Sequence, residues 1–142
     1  MPAAPLTVLY DEECSFCRYS LAVLLRLDRH RRLLPIPIQG FDGQRLLSDL
    51  SPEGRLATAH VVTPVGRVYS GGDIAVPIAR ELPLGVGAAR VAARLGGPSR
   101  WLYGQVASNR SRLGRYVSPG RRERASRTIA EHRERVLRTV GR

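Results

Sequence analysis

The feature of this 142-residue sequence that most constrains its fold is a pair of cysteines placed between a strand-like and a helix-like segment. Residues 6–10 (LTVLY) form a short apolar run of the kind that becomes a buried strand. Residues 17–29 carry leucines at helical spacing and predict a long helix. Cys14 and Cys17 therefore fall at the junction, where the first helical turn would bring the two sulfurs together.

These are the only two cysteines of the chain, and a structural disulfide explains them poorly. A bridge across so small a loop constrains the unfolded chain very little. The sequence begins without a recognisable leader, and no apolar run approaches the ~18 residues of a membrane span, so we expect the cytoplasm. Structural disulfides rarely persist in that compartment.

Three interpretations of the cysteine pair remain: a redox-active dithiol, half of a zinc site, or two inert core residues. Zinc requires about four ligands, and His30, His60 and His132 show no ligand spacing to one another. The strand–Cys-x-x-Cys–helix context is the one that a thioredoxin-like redox motif needs. The sequence therefore favours the redox pair and predicts no metal and no cofactor.

A redox pair requires one sulfur that can ionise and another that can reach it. Cys14 precedes the helix, whose free N–H groups and dipole stabilise a thiolate, so we expect it to be the exposed attacking thiol. Cys17 lies in the first turn and should be more buried, resolving the mixed disulfide. Asp11 is a candidate proton acceptor for Cys17 or an anchor for the loop; the alternative is a turn-forming aspartate.

The remaining pattern predicts the fold class. Residues 33–38 form a second strand, which two prolines push towards a sheet edge, and residues 44–50 form a short helix. Residues 59–63 and 67–70 flank a turn and predict a hairpin. Ser70 and Asp73 resemble a capping box that opens a further helix. This order predicts a thioredoxin-like α/β fold, a mixed sheet with helices on both faces and an appended C-terminal helical region.

We expect residues 1–116 to form one domain, with its core at about 6–83 and added helices at about 84–116. Residues 117–142 would follow as an arginine-rich helical tail. The net charge is +11, every basic residue is arginine, and eleven of the 23 arginines lie in residues 110–142. The thin apolar stripe and the i,i+4 Glu–Arg pairs of the tail predict a solvated helix. The alternatives are a surface that docks an acidic partner or a membrane face, or a surface that contacts nucleic acid. Because Tyr116 is the nearest aromatic residue, stacking of bases on the tail is unsupported.

Three segments carry a resemblance to a known family. They are residues 10–17 (YDEECSFC), 60–73 (HVVTPVGRVYSGGD) and 101–110 (WLYGQVASNR). Each is similar to a signature of the DCC family of thiol-disulfide oxidoreductases, and together they cover about residues 6–115. The resemblance implies a thioredoxin-like fold and disulfide exchange activity.

Five further residues are candidates for substrate binding. Ser15 and Phe16 lie between the cysteines, and Phe16 would meet an apolar surface of the partner, with helix packing as the alternative. His60 is a candidate to face the dithiol. The alternative is that it has a structural role in the sheet. Gly72 and Asp73 are similar to the stretch by which glutaredoxins hold the carboxylate of a thiol tripeptide. The alternative is that they form a turn at the start of a helix.

Two positions depart from the related patterns. Glu12 stands where the family usually has glycine, which adds charge beside the thiol. Residues 57–59 (ATA) occupy the place where thioredoxins and glutaredoxins carry a cis-proline that holds the substrate chain.

We interpret Asn109 and Arg110 as a helix cap and an ion-pair partner.

The sequence thus predicts a thiol-disulfide oxidoreductase that acts on a disulfide-bearing protein or a low-molecular-weight thiol. The alternative is a non-catalytic thioredoxin-fold module that docks an acidic partner or, less favoured, nucleic acid through its arginine-rich helix. Loss of activity in Cys14→Ser would indicate the first, whereas salt-sensitive affinity lost on tail truncation would indicate the second.

Overall fold

A computed structural model describes residues 3–83, 85–94 and 96–141 of the chain. Four strands and eight helices follow one another, with a 3₁₀ turn at Gly71–Ile74. In chain order the elements are β1 (Leu6–Tyr10), α1 (Ser15–Leu27), β2 (Leu33–Pro37), α2 (Phe41–Leu46), α3 (Pro52–Ala57), β3 (His60–Val62), β4 (Val68–Ser70), α4 (Ala75–Glu81), α5 (Gly85–Arg94), α6 (Gly96–Ser108), α7 (Arg110–Gly114) and α8 (Pro119–Val140).

The four strands form one mixed sheet in the order β2-β1-β3-β4. β1 runs parallel to β2 and antiparallel to β3, and β3 and β4 form the predicted hairpin. β2 is an edge strand, as Pro35 and Pro37 predict, because proline has no N–H to donate to a second neighbour. The predicted α/β mixed sheet, consistent with a thioredoxin-like fold, is confirmed.

Apolar side chains cover both faces of the sheet. On one face Val8 and Val61 pack with Leu21 and Leu25 of α1 and with residues of α4 and α8. On the other face Leu9 and Val62 pack with a second cluster that includes Leu47, at the end of α2. Successive residues of a strand point to opposite faces, which is why neighbours such as Val8 and Leu9 belong to different clusters.

Between β2 and β3 the structure differs from the sequence prediction. The helix expected at residues 44–50 lies at Phe41–Leu46, and a second helix, α3, follows it. Ser51 caps α3 by accepting a hydrogen bond from the N–H of Gly54 at 3.1 Å, and Pro52 takes the first helical position. The Ser-Pro pair is a recognised helix-start signal that the sequence prediction did not use.

The capping box predicted at Ser70 does not form. The Ser70 hydroxyl instead contacts Nδ1 of His60 at 2.7 Å, across the β3–β4 hairpin. The chain leaves β4 through Gly71, whose φ of +62° favours glycine, and the 3₁₀ turn then leads into α4.

Helix α8 lies against α1 and β2. Its inward face is buried at Ala125, Ile129, His132 and Val136, and Ala125 and Ile129 belong to the same core cluster as β1. Nε2 of His132 lies 2.9 Å from Oδ2 of Asp28, which is itself buried. The domain boundary at residue 117 stays a prediction, and the buried face of α8 is the observation that weighs against it.

The outward face of α8 carries the charge. Arg135 pairs with Glu131 at 3.6 Å and Arg138 with Glu134 at 3.3 Å, as the i,i+4 spacing predicts. Docking of an acidic partner on this face stays a prediction, as does the cytoplasmic location. Within the described ranges, no helix combines the length and the apolar character needed to cross a membrane.

Candidate dithiol site

The junction of β1 and α1 places the two cysteines at the amino-terminal end of α1. Cys14 is the N-cap residue, with extended backbone angles, and Cys17 lies in the first turn. The N–H of Cys17 donates to Sγ of Cys14 at 3.3 Å. Both thiols are free and partly buried, so Cys14 is less exposed than the sequence predicted. The Cys14 sulfur thus occupies the position at which a helix terminus stabilises negative charge.

The two thiols differ in their electrostatic surroundings. Burial raises the pKa of the Cys17 thiol to about 12, and its hydrogen bond with Cys14 and the negative charge of Asp11 act in the same direction, while Arg110 opposes them. Cys17 is therefore protonated at neutral pH in the reduced protein. A thiol in that state is a poor nucleophile, because the thiolate is the attacking species.

Asp11 ties the loop before α1 to the neighbouring strand. Its Oδ1 accepts hydrogen bonds from the N–H of Glu13 at 3.0 Å and from Nε2 of Gln39 at 2.6 Å. Oε1 of Gln39 in turn accepts from the N–H of Glu12 at 3.2 Å. Gln39 was not predicted as a site residue. Its position just after β2, the parallel neighbour of β1, is the signal that could have found it, because the carboxyl ends of parallel neighbours meet.

Arg110 joins the site from about a hundred residues further along the chain. Its Nη2 lies 3.8 Å from Oδ2 of Asp11 and donates to the carbonyl of Leu56 at 2.7 Å. The predicted ion pair is confirmed, and its acid is Asp11. The side chain of Asn109 does not cap the start of α7; it donates to the carbonyl of Gln105 at 2.8 Å, in the last turn of α6, and so caps the end of that helix.

Asp11 and Arg110 stand between two cavities. The first, of about 270 Å³, contains Cys17 in its wall and is otherwise mostly apolar, with Phe16, Leu24, Ile78 and Val106 among its residues. The second, of about 340 Å³, contains Cys14 in its wall and is polar, with Glu13, Ser15, Arg115 and Arg122 among its residues. Each thiol therefore opens on a different chemical environment.

The segment at the thioredoxin proline position is held by α6. The hydroxyl of Tyr103 accepts hydrogen bonds from Oγ1 of Thr58 at 2.9 Å and from the N–H of Ala59 at 3.0 Å. All three residues line the apolar cavity beside Cys17. The Ala59 N–H is thus satisfied inside the protein. Tyr103 lies in the third resemblance segment, but the sequence did not single it out.

His60 lies on the sheet face opposite to the dithiol. It shares a face with Val62, whereas the cavity beside Cys17 is lined by Val8 of the other face. Its ring is fully engaged: Nδ1 contacts Oγ of Ser70 at 2.7 Å and Nε2 contacts the carbonyl of Arg55 at 2.9 Å. Burial lowers the pKa of His60 below its ordinary value, and hydrogen bonds to backbone groups offset only part of this effect. These contacts favour the structural interpretation of His60 over substrate binding.

Gly72 and Asp73 lie in the 3₁₀ turn, packed against α6. A Cβ on Gly72 would lie 2.6 Å from Cα of Arg100, so the two backbones can approach only with glycine there. Oδ1 of Asp73 accepts a hydrogen bond from Nε of Arg100 at 2.7 Å. Their geometry favours the helix-entry alternative, in which both residues anchor α6. Of the predicted substrate-binding residues, Ser15 and Phe16 are the two that line the cavities beside the thiols.

Metal binding was the alternative use of the cysteine pair. Across residues 3–83, 85–94 and 96–141, no group of three or more His, Cys, Asp or Glu side chains is placed to hold an ion. Two of the three histidines considered from the sequence have partners elsewhere, His60 with Ser70 and Arg55 and His132 with Asp28.

Comparison with known proteins supports the sequence resemblance. Searches of curated proteins and of solved structures gave no significant match. A family model described as DCC1-like thiol-disulfide oxidoreductase matches residues 8–116. That span includes both cysteines and both members of the Asp11–Arg110 pair. The match covers more than half of the chain, and the chain therefore belongs to the DCC1-like thiol-disulfide oxidoreductase family.

Proposed function

We propose that this protein is a thiol-disulfide oxidoreductase in which Cys14 attacks the substrate disulfide and Cys17 resolves the mixed disulfide. One observation carries the proposal: the two thiols stand in opposite environments. Sγ of Cys14 accepts a hydrogen bond from a backbone N–H at the amino-terminal end of α1, whereas burial holds the pKa of Cys17 at about 12. Family membership supports the reaction class.

The reaction exchanges one disulfide for another. The Cys14 thiolate attacks one substrate sulfur, a new S–S bond forms, and the other half of the substrate leaves as a thiolate. Cys17 then loses its proton and attacks Sγ of Cys14, which closes the Cys14–Cys17 disulfide and releases the second half. The substrate gains two electrons and the protein dithiol loses two, and an external dithiol or thiol reductant restores the protein.

Asp11 is the proposed proton acceptor for Cys17 in the second step. It lines the same cavity as Cys17, and its charge acts on that thiol. The Arg110 guanidinium and the Gln39 amide hold the carboxylate in place. Once Cys14 is bonded to substrate, Cys17 must ionise before it attacks, and a carboxylate in the shared cavity can receive that proton.

The roles of the cysteines are tested with two single variants and a chromogenic aryl disulfide. Cys17→Ser should form a stable mixed disulfide at Cys14 and release one equivalent of aryl thiolate. Cys14→Ser should react much more slowly, because its remaining thiol is protonated at neutral pH. If Cys14→Ser reacts with the aryl disulfide faster than Cys17→Ser does, the attacking and resolving roles of the two cysteines are reversed.

The role of Asp11 is tested by Asp11→Asn in the mixed-disulfide resolution step. The negative charge of Asp11 raises the pKa of Cys17, so removing the charge alone should favour ionisation and accelerate resolution. Loss of a proton acceptor should instead slow resolution, by about 10²-fold where general-base catalysis operates. Resolution that is faster in the variant would exclude the proton-acceptor role while leaving the cysteine assignment intact.

A further inference from the structure

The cavity beside Cys14 carries an excess of positive charge. Arg110, Arg115 and Arg122 line it, against the carboxylates of Asp11 and Glu13. Asp11 is already matched by Arg110 at 3.8 Å and accepts two further hydrogen bonds. That leaves one carboxylate, Glu13, against two arginines in the cavity wall.

The two other arginines keep their charge available to a ligand. Nε and Nη2 of Arg122 donate to the carbonyls of Val117 at 3.0 Å and Gly114 at 3.2 Å, which fix the guanidinium without neutralising it. Arg115 is exposed at the carboxyl end of α7, and no described residue forms an ion pair or a side-chain hydrogen bond with its guanidinium. A guanidinium held by neutral partners in a cavity wall is suited to bind a carboxylate.

The size of the cavity beside Cys14, together with a contact in the neighbouring cavity beside Cys17, favours a small ligand over an extended peptide. About 340 Å³ is in the range of small-molecule sites. A substrate chain that paired with the segment before β3 would need free backbone groups there, and the Ala59 N–H is occupied by the Tyr103 hydroxyl.

We propose that the substrate is the disulfide of a small thiol that carries carboxylates, held by Arg115 and Arg122 while Cys14 attacks its sulfur. This inference rests on the proposed function. In the step that forms the mixed disulfide, the anionic thiol stays bonded to Cys14 inside the basic cavity and the other half leaves as a thiolate. Attack of Cys17 on Cys14 then releases the anionic thiol.

The test uses the full chain with Cys17→Ser, so that each reaction stops at the mixed disulfide. Its rate is measured with three small disulfides: glutathione disulfide, which is anionic, 2-hydroxyethyl disulfide, which is neutral, and cystamine, which is cationic. Each rate is divided by the rate of the same disulfide with 2-mercaptoethanol, which removes differences in intrinsic reactivity. We expect the anionic disulfide to exceed the neutral one by about fivefold or more, with the cationic one slowest.

Arg115→Gln and Arg112→Gln form the matched pair of variants. Both arginines are exposed, both belong to the α7 region and both changes remove one positive charge, but only Arg115 lines the cavity. Arg115→Gln should remove most of the preference for the anionic disulfide, whereas Arg112→Gln should leave it nearly unchanged.

Three other outcomes would overturn a specific part of the argument. If none of the disulfides reacts with Cys14 faster than with 2-mercaptoethanol, the proposed function itself fails. If all three react fast and alike, the proposed function stands and the anionic substrate is wrong. If both arginine variants lower the preference equally, the overall charge attracts the anion and the cavity is not its site.

Discussion

Replacement of Asp28 by asparagine tests the junction that joins α1, β2 and α8. Asp28 is 3% exposed and ends α1. Its Oδ1 accepts from the N–H of Arg32 at 3.0 Å, and its Oδ2 accepts from the N–H of Leu33 at 2.8 Å and contacts Nε2 of His132 at 2.9 Å. One carboxylate at the end of α1 thus binds groups from two other segments of the chain, the start of β2 and α8.

The size of the effect follows from these three partners. Asparagine keeps the shape of the side chain but has one accepting oxygen, because its amide nitrogen only donates. If that oxygen takes the Oδ2 position, Arg32 loses its acceptor; if it takes the Oδ1 position, Leu33 and His132 lose theirs. Each buried donor left without a partner costs about 1–3 kcal/mol. We therefore expect Asp28→Asn to lower the free energy of unfolding by about 2–4 kcal/mol.

The assay is urea unfolding followed by circular dichroism at pH 7, with Asp49→Asn as the control for loss of an exposed carboxylate. A loss for Asp28→Asn below about 0.5 kcal/mol, or equal to that of Asp49→Asn, would refute the reasoning. The pH dependence gives a second check. Burial alone would raise the pKa of Asp28, but hydrogen bonds from His132, Arg32 and Leu33 outweigh it and hold that pKa below its ordinary value of 3.8.

A lowered folded-state pKa fixes the direction of that pH dependence. The stabilisation due to Asp28 is fully present above the ordinary pKa of 3.8 and is lost as the pH falls through the lower folded-state value. The part of the stability difference between the parent protein and Asp28→Asn that depends on the Asp28 charge should therefore shrink below about pH 3.8. A difference that grows on acidification would contradict this assignment.

Three further predictions concern packing. Ile129→Ala should lower the free energy of unfolding by about 2–4 kcal/mol because it removes a buried side chain of α8, whereas Leu137→Ala, on the exposed part of the same helix, should change it by well under half of that. Removal of residues 117–142 should lower the thermal midpoint strongly, and an unchanged midpoint would restore the separable tail that the sequence predicted. Gly43→Ala should destabilise the protein, since its Cβ would lie 2.3 Å from the carbonyl oxygen of Pro37, while Gly104→Ala, which meets nothing within 4 Å, should be neutral or stabilising in the same melts.

The parts of the fold that the sequence predicted depend on local patterns. The strand–cysteine–helix junction, the hairpin and the proline-containing edge strand each follow from residues that are adjacent in sequence. The positions of the cysteines follow in the same way, because Cys14 before α1 and Cys17 inside it belong to one segment.

The parts that the sequence missed depend on partners chosen by tertiary structure. Ser70 has the sequence of a helix cap, but the hairpin brings His60 within 2.7 Å and the hydroxyl bonds there instead. The apolar stripe on α8 looks thin in the sequence because His132 is a polar residue. In the structure His132 is buried, and its contact with Asp28 offsets the free-energy cost of burying the ring. Gln39 carries no local signal for its contact with Asp11, and the ion pair at Arg110 was predicted without its acid, since the two contacts are formed by sheet register and by helix packing.

The contact between Asp11 and Arg110 has a consequence for the order in which the protein becomes active during synthesis. The strand and helix that carry both cysteines end at Leu27. The tyrosine that holds the segment before β3, the guanidinium that pairs with Asp11 and the second cavity arginine are synthesised later, at positions 103, 110 and 122. A nascent chain would therefore expose two thiols long before it has the groups that position and charge them, and a truncated translation product would carry cysteines without their site.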